Sequence, residues 1–248
     1  MLKGQYRFVA SNKLPLSLDQ QEPVNLSSDD LHKLKSVLRV KTDQAINVIC
    51  QLTGKIFLAK ITKLNPEIEI KLQSQVEAEV THTKVKKLIV ALCKGEKNDF
   101  ICQKATELGV EEIHFTQCQR SIVKITPSDF HKKLDRWNKI AKAATQQSGQ
   151  ILLPKINFST NLSEAINQNI EQQQLLFCHM NGSDILTCEL TSAVNLVIGP
   201  EGGLSEQELE LLENNQGKCL SLGPTTLRAE TAAILALGIL NLRLASIQ

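Results

Sequence analysis

Aromatic residues, paired cysteines and clustered histidines are all scarce in this sequence of 248 residues. Seven Phe, one Trp and one Tyr are too few for a nucleic-acid-binding protein built mainly on stacked aromatic rings. The seven cysteines are scattered without a Cys-x-x-Cys pair, and the five histidines do not supply metal-ligand spacing. We therefore expect no metal site. The unpaired cysteines indicate a reducing compartment, the cytoplasm.

The sequence also lacks an excess of charge of one sign and a long hydrophobic run. Lys and Arg total 28 against 26 Asp and Glu, which gives a formal net charge of +2. This balance is compatible with an RNA partner, because RNA binding needs a local basic patch rather than a basic chain. The apolar stretch Thr231–Leu242 is shorter than the roughly 20 residues of a membrane-spanning helix. Residues 1–15 lack the apolar core of a signal peptide, so we expect neither feature.

Two patterns of hydrophobicity meet near residues 74–84. In the preceding segment, apolar and polar positions alternate, as at Ile68, Ile70 and Leu72, and β-branched residues are frequent. One helix, capped by Ser27 or Ser28, interrupts these predicted strands. The pattern predicts a small β-barrel domain over residues 1–73. The polar segment 74–84 is predicted to be a linker.

Strands and helices alternate in residues 85–248. Continuous apolar runs such as Leu88–Cys93 and Leu196–Ile198 are typical of strands that are buried on both faces of a parallel sheet. Between these runs, Thr126 and Pro127 open a long helix, and the helical spacing predicts that Trp137 anchors the core. The pattern as a whole predicts an α/β domain, with a parallel sheet and flanking helices.

Two glycine-proline turns carry the strongest functional signal. The turn Gly199–Ser205 lies between a buried strand and a capped helix, and Gly223–Arg228 repeats this design. In an open α/β sheet, ligands bind beyond the carboxyl ends of the strands, where glycines leave backbone groups free to bond a ligand. The first turn matches neither a dinucleotide nor a triphosphate motif. A tight turn without a ligand remains the alternative interpretation of the first turn taken alone.

The segments Ile198–Ser205 and Leu222–Ala232 together resemble the C-terminal signature of the RsmE-type 16S rRNA (uracil-N3) methyltransferases. These enzymes belong to the SPOUT superfamily of knotted S-adenosylmethionine enzymes. Further similar segments are Lys94-Gly95, Gln103–Val110, Arg120-Ser121, Arg136-Trp137, Gln147–Gly149, and His32 with Val37–Arg39. The resemblance covers nearly the whole chain. It implies a SPOUT-type knotted parallel sheet in residues 85–248, a PUA-like RNA-binding domain before it, and a homodimer.

The same resemblance implies a cofactor and a reaction. The cofactor is S-adenosylmethionine, and the reaction is methylation of the N3 atom of a specific uridine in the 16S rRNA of the small ribosomal subunit. The cofactor is expected in a cleft between three loops. The residues expected to bind it are Cys178, His179, Ile198, Gly199, Gly202, Gly203, Leu222, Gly223 and Leu227.

Methylation at N3 also implies catalytic residues. The uracil imide is weakly acidic at neutral pH, so an enzyme must help to remove its proton or stabilise the anion. Arg228 is the candidate for stabilising negative charge or binding a phosphate. Glu230 and Glu201 are candidates for orienting groups or accepting the proton. The expected RNA contacts are Arg7, Arg39, Arg120 and Arg228.

Three positions depart from the family pattern. Thr225 and Gln150 stand where Arg is usual, and Gln146 stands where Glu is usual. We expect these changes to leave the cofactor turns intact, to weaken RNA contacts and to reduce activity.

Two other functions are compatible with the sequence. One is 2′-O-ribose methylation by a SPOUT enzyme, although such enzymes commonly carry Asn-rich motifs where this chain has Leu222-Gly223 and Arg228–Glu230. The other is a non-catalytic RNA-binding or ribosome-assembly factor. The two retained glycine-proline turns argue against this second alternative.

Overall fold

Strands and helices alternate along most of the chain in a computed structural model, which describes residues 6–11, 24–50, 55–76, 84–167, 173–191 and 193–246. The strands are β1 Arg7–Val9, β2 Ala45–Ile49, β3 Ile56–Lys63, β4 Glu69–Val76, β5 Val85–Ala91, β6 Glu112–Thr116, β7 Lys155–Ser159, β8 Gln174–Asp184, β9 Val194–Ile198 and β10 Lys218–Ser221. The helices are α1 Ser28–His32, α2 Lys97–Glu107, α3 Pro127–Ser148, α4 Leu162–Asn167, α5 Glu206–Asn214 and α6 Ala229–Ala245. A π-helical turn, Lys33–Val37, continues α1.

The first structural unit is built on a four-stranded mixed sheet in the order β1-β2-β3-β4. Strand β1 runs parallel to β2, whereas β3 is antiparallel to both of its neighbours. The Ser27 hydroxyl accepts a hydrogen bond from the Asp30 backbone N–H at 3.3 Å, which confirms the predicted helix cap. Leu34 and Ile46 are fully buried in the core of this unit. The β-rich first segment predicted from the sequence is therefore confirmed.

The second unit contains a six-stranded parallel sheet in the order β10-β8-β9-β5-β6-β7. Its central strands β5 and β9 are buried along almost their whole length, which confirms the interpretation of the apolar runs. Trp137 of α3 is 2% exposed and stacks on Phe115, with ring centroids 4.2 Å apart. The α/β architecture and the core position of Trp137 are thus as predicted. The knot stays a prediction.

The observed division into units does not follow a single cut in the sequence. Residues 145–153, which include the end of α3, group with residues 1–81, and the second unit comprises residues 82–144 and 154–248. Strand β4 continues to Val76, beyond the predicted end of the first domain at residue 73. Most of the predicted linker, residues 77–83, lies outside the described residues. Within the described ranges, no helix has both the length and the apolar character needed to cross a bilayer.

Strands β8 and β10 approach each other very closely at Gly182. The pairing steps from Cys219 opposite Phe177 to Leu220 opposite Ser183, so residues 178–182 are looped out of the ladder. A Cβ atom on Gly182 would lie 2.6 Å from the backbone nitrogen of Leu220. Backbone atoms cannot move aside as a flexible side chain can. Only glycine therefore fits where β10 passes the returning end of β8.

We expect Gly182→Ala to lower the free energy of unfolding by at least about 2 kcal/mol, because the added methyl group overlaps the β10 backbone. Chemical denaturation measures this change. Ser183→Ala is the matched control, since it places a side chain of the same size on the exposed neighbouring position. Equal stability of the two variants would contradict the close approach.

A buried charged cluster lies on the sheet between β5 and β6. The Glu112 carboxylate is 3.2 Å from Lys87 Nζ and 3.3 Å from His114 Nδ1. Burial by itself raises the pKa of Glu112, but hydrogen bonds from His114 and Asn157 and the charge of Lys87 outweigh it and lower this pKa to about 2. Lys87 also donates to the Ala165 carbonyl at 2.9 Å. The ionised form of Glu112 is therefore favoured by the folded state.

The low pKa of Glu112 makes stability depend on pH. Because the folded pKa lies below the unfolded one, the stabilisation is complete above about pH 5 and is lost as the pH falls towards 2. We expect Glu112→Gln to remove about 3 kcal/mol at pH 7 and to flatten the pH dependence of the unfolding free energy below pH 5. Glu206→Gln on the exposed start of α5 is the control. A parallel pH profile for Glu112→Gln and the wild type would refute the assignment.

Candidate functional site

Three segments meet at one edge of the parallel sheet: the looped-out residues 178–182 inside β8, the turn after β9 and the turn after β10. Because β8 pairs in parallel with both β9 and β10, the chain leaves β9 and β10 in the same direction beside this part of β8. The segments enclose a cavity of about 310 Å³. Its lining residues are Cys178, His179, Met180, Ile198, Gly199, Pro200, Glu201, Gly202, Gly203, Leu204, Leu222, Gly223, Thr225, Thr226, Leu227, Ala229 and Ala232.

The turn after β9 is closed by its own backbone and by the helix that follows. The Gly203 N–H donates to the Pro200 carbonyl at 2.9 Å, and Gly203 adopts a φ of 73°, a conformation that favours glycine. Ser205 then caps α5: its hydroxyl accepts from the Glu208 N–H at 3.2 Å, and the Glu208 carboxylate accepts from the Ser205 N–H at 2.8 Å. This reciprocal pair is a capping box, and it confirms the capped helix that the sequence predicts after the first turn.

The backbone of both turns borders open space. Gly223, in the turn after β10, has a φ of 109° and donates its N–H to the Ser221 hydroxyl at 3.3 Å. A Cβ atom built on Gly203 or on Gly223 would meet no atom within 4 Å. A ligand in the cavity can therefore come close to the main chain at both glycines.

All nine residues predicted to bind a cofactor line this one cavity, although they come from three separate segments. Among the lining residues that the sequence patterns did not single out are Met180, Leu204 and Ala232. Leu204 lies within the first glycine turn and could have been found from that position. Ala232 lies one helical turn inside α6, and Met180 belongs to the looped-out part of β8, which no sequence pattern signals.

The predicted catalytic carboxylates lie close together and share a cation. Lys97 Nζ is 2.9 Å from Glu201 Oε1 and 3.6 Å from Glu230 Oε2. Burial of Glu201 opposes its ionisation, but the hydrogen bond and the charge of Lys97, together with backbone hydrogen bonds, outweigh this effect and lower the pKa of Glu201 below its usual range. The hydrogen bond with Glu201 also raises the pKa of Lys97. The pair is therefore ionised at neutral pH.

The cavity also contains a cysteine, Cys178. Burial, with a smaller contribution from the neighbouring Cys219, raises the pKa of Cys178 to about 12. Its thiol is consequently protonated at neutral pH, and a thiolate nucleophile is not available at this position. His179, the next residue, accepts a long hydrogen bond of 3.4 Å from the Asn181 N–H.

The predicted arginines occupy different surroundings. Arg228 is exposed and precedes α6, between the lining residues Leu227 and Ala229. Arg120 packs beside Gly202 and donates to the Leu204 carbonyl at 3.2 Å, so it supports the first glycine turn. In the first unit, Arg7 donates to the Gly149 carbonyl at 2.5 Å, whereas Arg39 is exposed with a φ of 47°. Their role in RNA binding stays a prediction.

The positions that depart from the family pattern also have defined surroundings. Thr225 belongs to the turn after β10 and lines the cavity, so the expectation that these changes leave the cofactor turns intact is wrong for this position. The Gln146 amide donates to the Asp30 carboxylate at 3.1 Å, and the Gln150 N–H lies 3.4 Å from the Ser148 hydroxyl. A Glu at position 146 would instead face another carboxylate. Gln is thus well suited to the local partner at this position.

Comparison with known proteins agrees with this geometry. A model of the RNA methyltransferase domain family matches residues 81–241. Ribosomal RNA small subunit methyltransferase E of Bacillus subtilis (strain 168) is 26% identical over 235 residues, which cover 90% of this chain and 91% of the relative. The protein of the same name from Mesomycoplasma hyopneumoniae (strain 232) is 29% identical over 234 residues, which cover 94% and 97%.

A solved structure shares the fold over nearly its whole length. The crystal structure of a ribosomal RNA small subunit methyltransferase E from Neisseria gonorrhoeae, bound to S-adenosyl methionine, matches with a TM-score of 0.81 and 26% identity. The match covers 94% of this chain and 95% of that one. The resemblance inferred from the two glycine-proline turns is confirmed, and the chain belongs to the family of RNA methyltransferase domains.

Proposed function

We propose that this protein transfers the methyl group of S-adenosylmethionine to the N3 atom of a uridine in the 16S rRNA of the small ribosomal subunit. The observation that carries the proposal is the convergence of nine residues, from three separate segments, on one cavity. Two relatives of similar length are named as ribosomal RNA small subunit methyltransferases, and a structural neighbour binds S-adenosyl methionine. These likenesses support the same cofactor and the same class of RNA.

The cavity suits this cofactor in size and lining. A volume of about 310 Å³ lies within the range of about 300–1,000 Å³ that is usual for small-molecule sites. Apolar side chains such as Ile198, Leu222 and Leu227 would pack on the adenine, and backbone groups of the glycine turns would bond its polar edge. When bound, the cofactor supplies an electrophilic methyl group on a sulfonium. Gly203 and Gly223 border open space, which larger side chains at these two positions would fill and so exclude the cofactor.

Arg228 is the candidate for stabilising the uracil anion. Its exposed guanidinium is fixed in charge and stands at the entrance to α6, next to two lining residues. Negative charge that develops on the base during proton loss would be stabilised there more than in the ground state. The exposed Arg39 of the first unit, with Arg7 and Arg120, would contact RNA phosphates. Residues 1–73 would thus form the RNA-binding domain and residues 85–248 the methyltransferase domain, in the cytoplasm.

The protein is also proposed to form a homodimer, which an exposed apolar face of α6 supports. Leu235 is 40% exposed and Leu242 is 77% exposed, although most of the helix is apolar. With half-buried Ile239 between them, these residues follow helical spacing along one face. A second copy of the chain would cover this apolar face.

The proposed reaction is tested by tritium transfer from labelled S-adenosylmethionine to small-subunit RNA, followed by identification of the nucleoside. We expect 3-methyluridine. Arg228→Ala should lower the single-turnover rate at least about tenfold with a smaller loss of RNA affinity, because its interaction is strongest in the transition state. Arg39→Ala is the matched comparison: it should weaken RNA binding and leave cofactor affinity unchanged.

Other outcomes of this experiment point to other functions. A 2′-O-methylated nucleoside would assign the protein to ribose methylation, and RNA binding without transfer would make it a non-catalytic factor. A normal single-turnover rate for Arg228→Ala at saturating RNA and cofactor would remove Arg228 from catalysis.

The dimer is tested by sedimentation at micromolar concentration. We expect a dimer for the wild type and a monomer for Leu242→Glu, because the buried carboxylate would lose its hydration without a partner. Leu186→Glu, which also replaces an exposed leucine in the second unit, is the control and should remain a dimer. A monomeric wild-type protein would overturn the proposal.

A further inference from the structure

Lys97 connects two parts of the site that are far apart in the sequence. It is the first residue of α2, whereas Glu201 belongs to the glycine turn after β9 and Glu230 to the first turn of α6. The Lys97 ammonium lies between the two carboxylates, 2.9 Å from Glu201 and 3.6 Å from Glu230. No motif in the sequence singles out Lys97. Only the folded chain brings its three segments together.

The charges around Lys97 explain why a cation is required at this position. The three side chains are 28%, 25% and 14% exposed for Lys97, Glu201 and Glu230 respectively, so water screens their charges only in part. The positive end of a helix dipole disfavours a lysine at the start of α2, and the dipole therefore does not explain the residue. One Glu230 oxygen, Oε2, is buried without a hydrogen-bond partner among the described residues. Lys97 is its compensating charge.

The loop that carries Lys97 is itself held in place. The Cys93 N–H donates to the Asn98 side-chain oxygen at 2.9 Å, and the Asn98 amide donates to the Cys93 carbonyl at 2.7 Å. Both residues are buried. A backbone hydrogen bond from Lys94 also reaches the Glu201 carboxylate and contributes to its low pKa. The segment between β5 and α2 is thus a firm support for the glycine turn.

We propose that Lys97 is a positioning residue of the methyl-transfer site. It bridges the Glu201 and Glu230 carboxylates, and so fixes the glycine turn and the start of α6 beside the cavity. Glu201 then orients the turn instead of accepting the uracil proton, since an ionised carboxylate held by an ammonium is a weak base. The identity of the ligand in this proposal rests on the proposed function.

Calorimetric affinity for S-adenosylhomocysteine, the demethylated cofactor, provides the first test. We expect Lys97→Met to weaken binding about tenfold, because the two carboxylates repel each other and the turn moves away from α6. Lys97→Arg retains a cation that can bridge two carboxylates and should bind within about threefold of the wild type. Lys94→Met is the matched control: the side chain of Lys94 is exposed and its backbone N–H is unchanged.

Double variants show whether Lys97 acts through the carboxylates. Glu201→Gln and Lys97→Met should each weaken binding of S-adenosylhomocysteine. The affinity of the double variant should lie within about twofold of the affinity of whichever single variant binds more weakly. The proposal would be overturned if the fold losses in affinity of the two single variants multiplied in the double variant. Equal affinities of Lys97→Met and Lys94→Met would also overturn it. So would a failure of Lys97→Arg to restore binding in a protein that folds normally.

Unfolding of the ligand-free protein provides a readout that needs no cofactor. In a double-mutant cycle, we compare the denaturation midpoints of Lys97→Met, Glu230→Gln and the double variant. The two changes should be non-additive, because Lys97→Met leaves the Glu230 carboxylate without its cation, whereas in Glu230→Gln that carboxylate is already gone. Additive changes would contradict the ion-pair role. A wild-type protein that does not bind S-adenosylhomocysteine would contradict the proposed function, while this cycle still decides whether Lys97 holds the carboxylates.

Discussion

Parallel pairing of β8 with both β9 and β10 is the constraint on which the site depends. It directs the ends of β9 and β10 to one edge of the sheet, where the looped-out part of β8 and the two glycine-proline turns line one cavity. The pairing itself requires Gly182, because any larger residue would meet the β10 backbone. A single close approach of two backbones, well away from the turns in sequence, is therefore a condition for the shape of the cavity.

The site also depends on compensation of the charges of two glutamates that the strand pairing brings together. The sheet edge places Glu201 and Glu230 near each other, an arrangement that is unfavourable for two carboxylates with little exposure to water. Lys97 resolves this conflict from a third segment, which the Cys93–Asn98 hydrogen bonds hold rigid. The same principle operates between β5 and β6, where Lys87 and His114 stabilise ionised Glu112. In both places a lysine on or after β5 compensates the negative charge of glutamates that water screens only in part.

Much of the fold could be predicted because its signals are local. The continuous apolar runs of β5 and β9, the Ser205 capping box and the core position of Trp137 each follow from a few neighbouring residues. The residues of the two turns were likewise visible as glycine and proline in fixed spacing. By contrast, the Lys97 ion pairs and the β8 loop at Met180 depend on contacts between distant segments, which no single periodicity encodes. The grouping of residues 145–153 with the first unit is another such contact-dependent feature.

Calorimetric titration with S-adenosylmethionine, in the presence of a metal chelator, tests the central claim that the cavity between the two turns is a cofactor site. The wild type should bind one cofactor per chain, and Gly203→Val should not bind, because the valine fills open space beside the main chain at a φ that favours glycine. A melting temperature close to that of the wild type would show that the variant folds. No binding by the wild type at millimolar cofactor, or equal binding by Gly203→Val, would contradict the account.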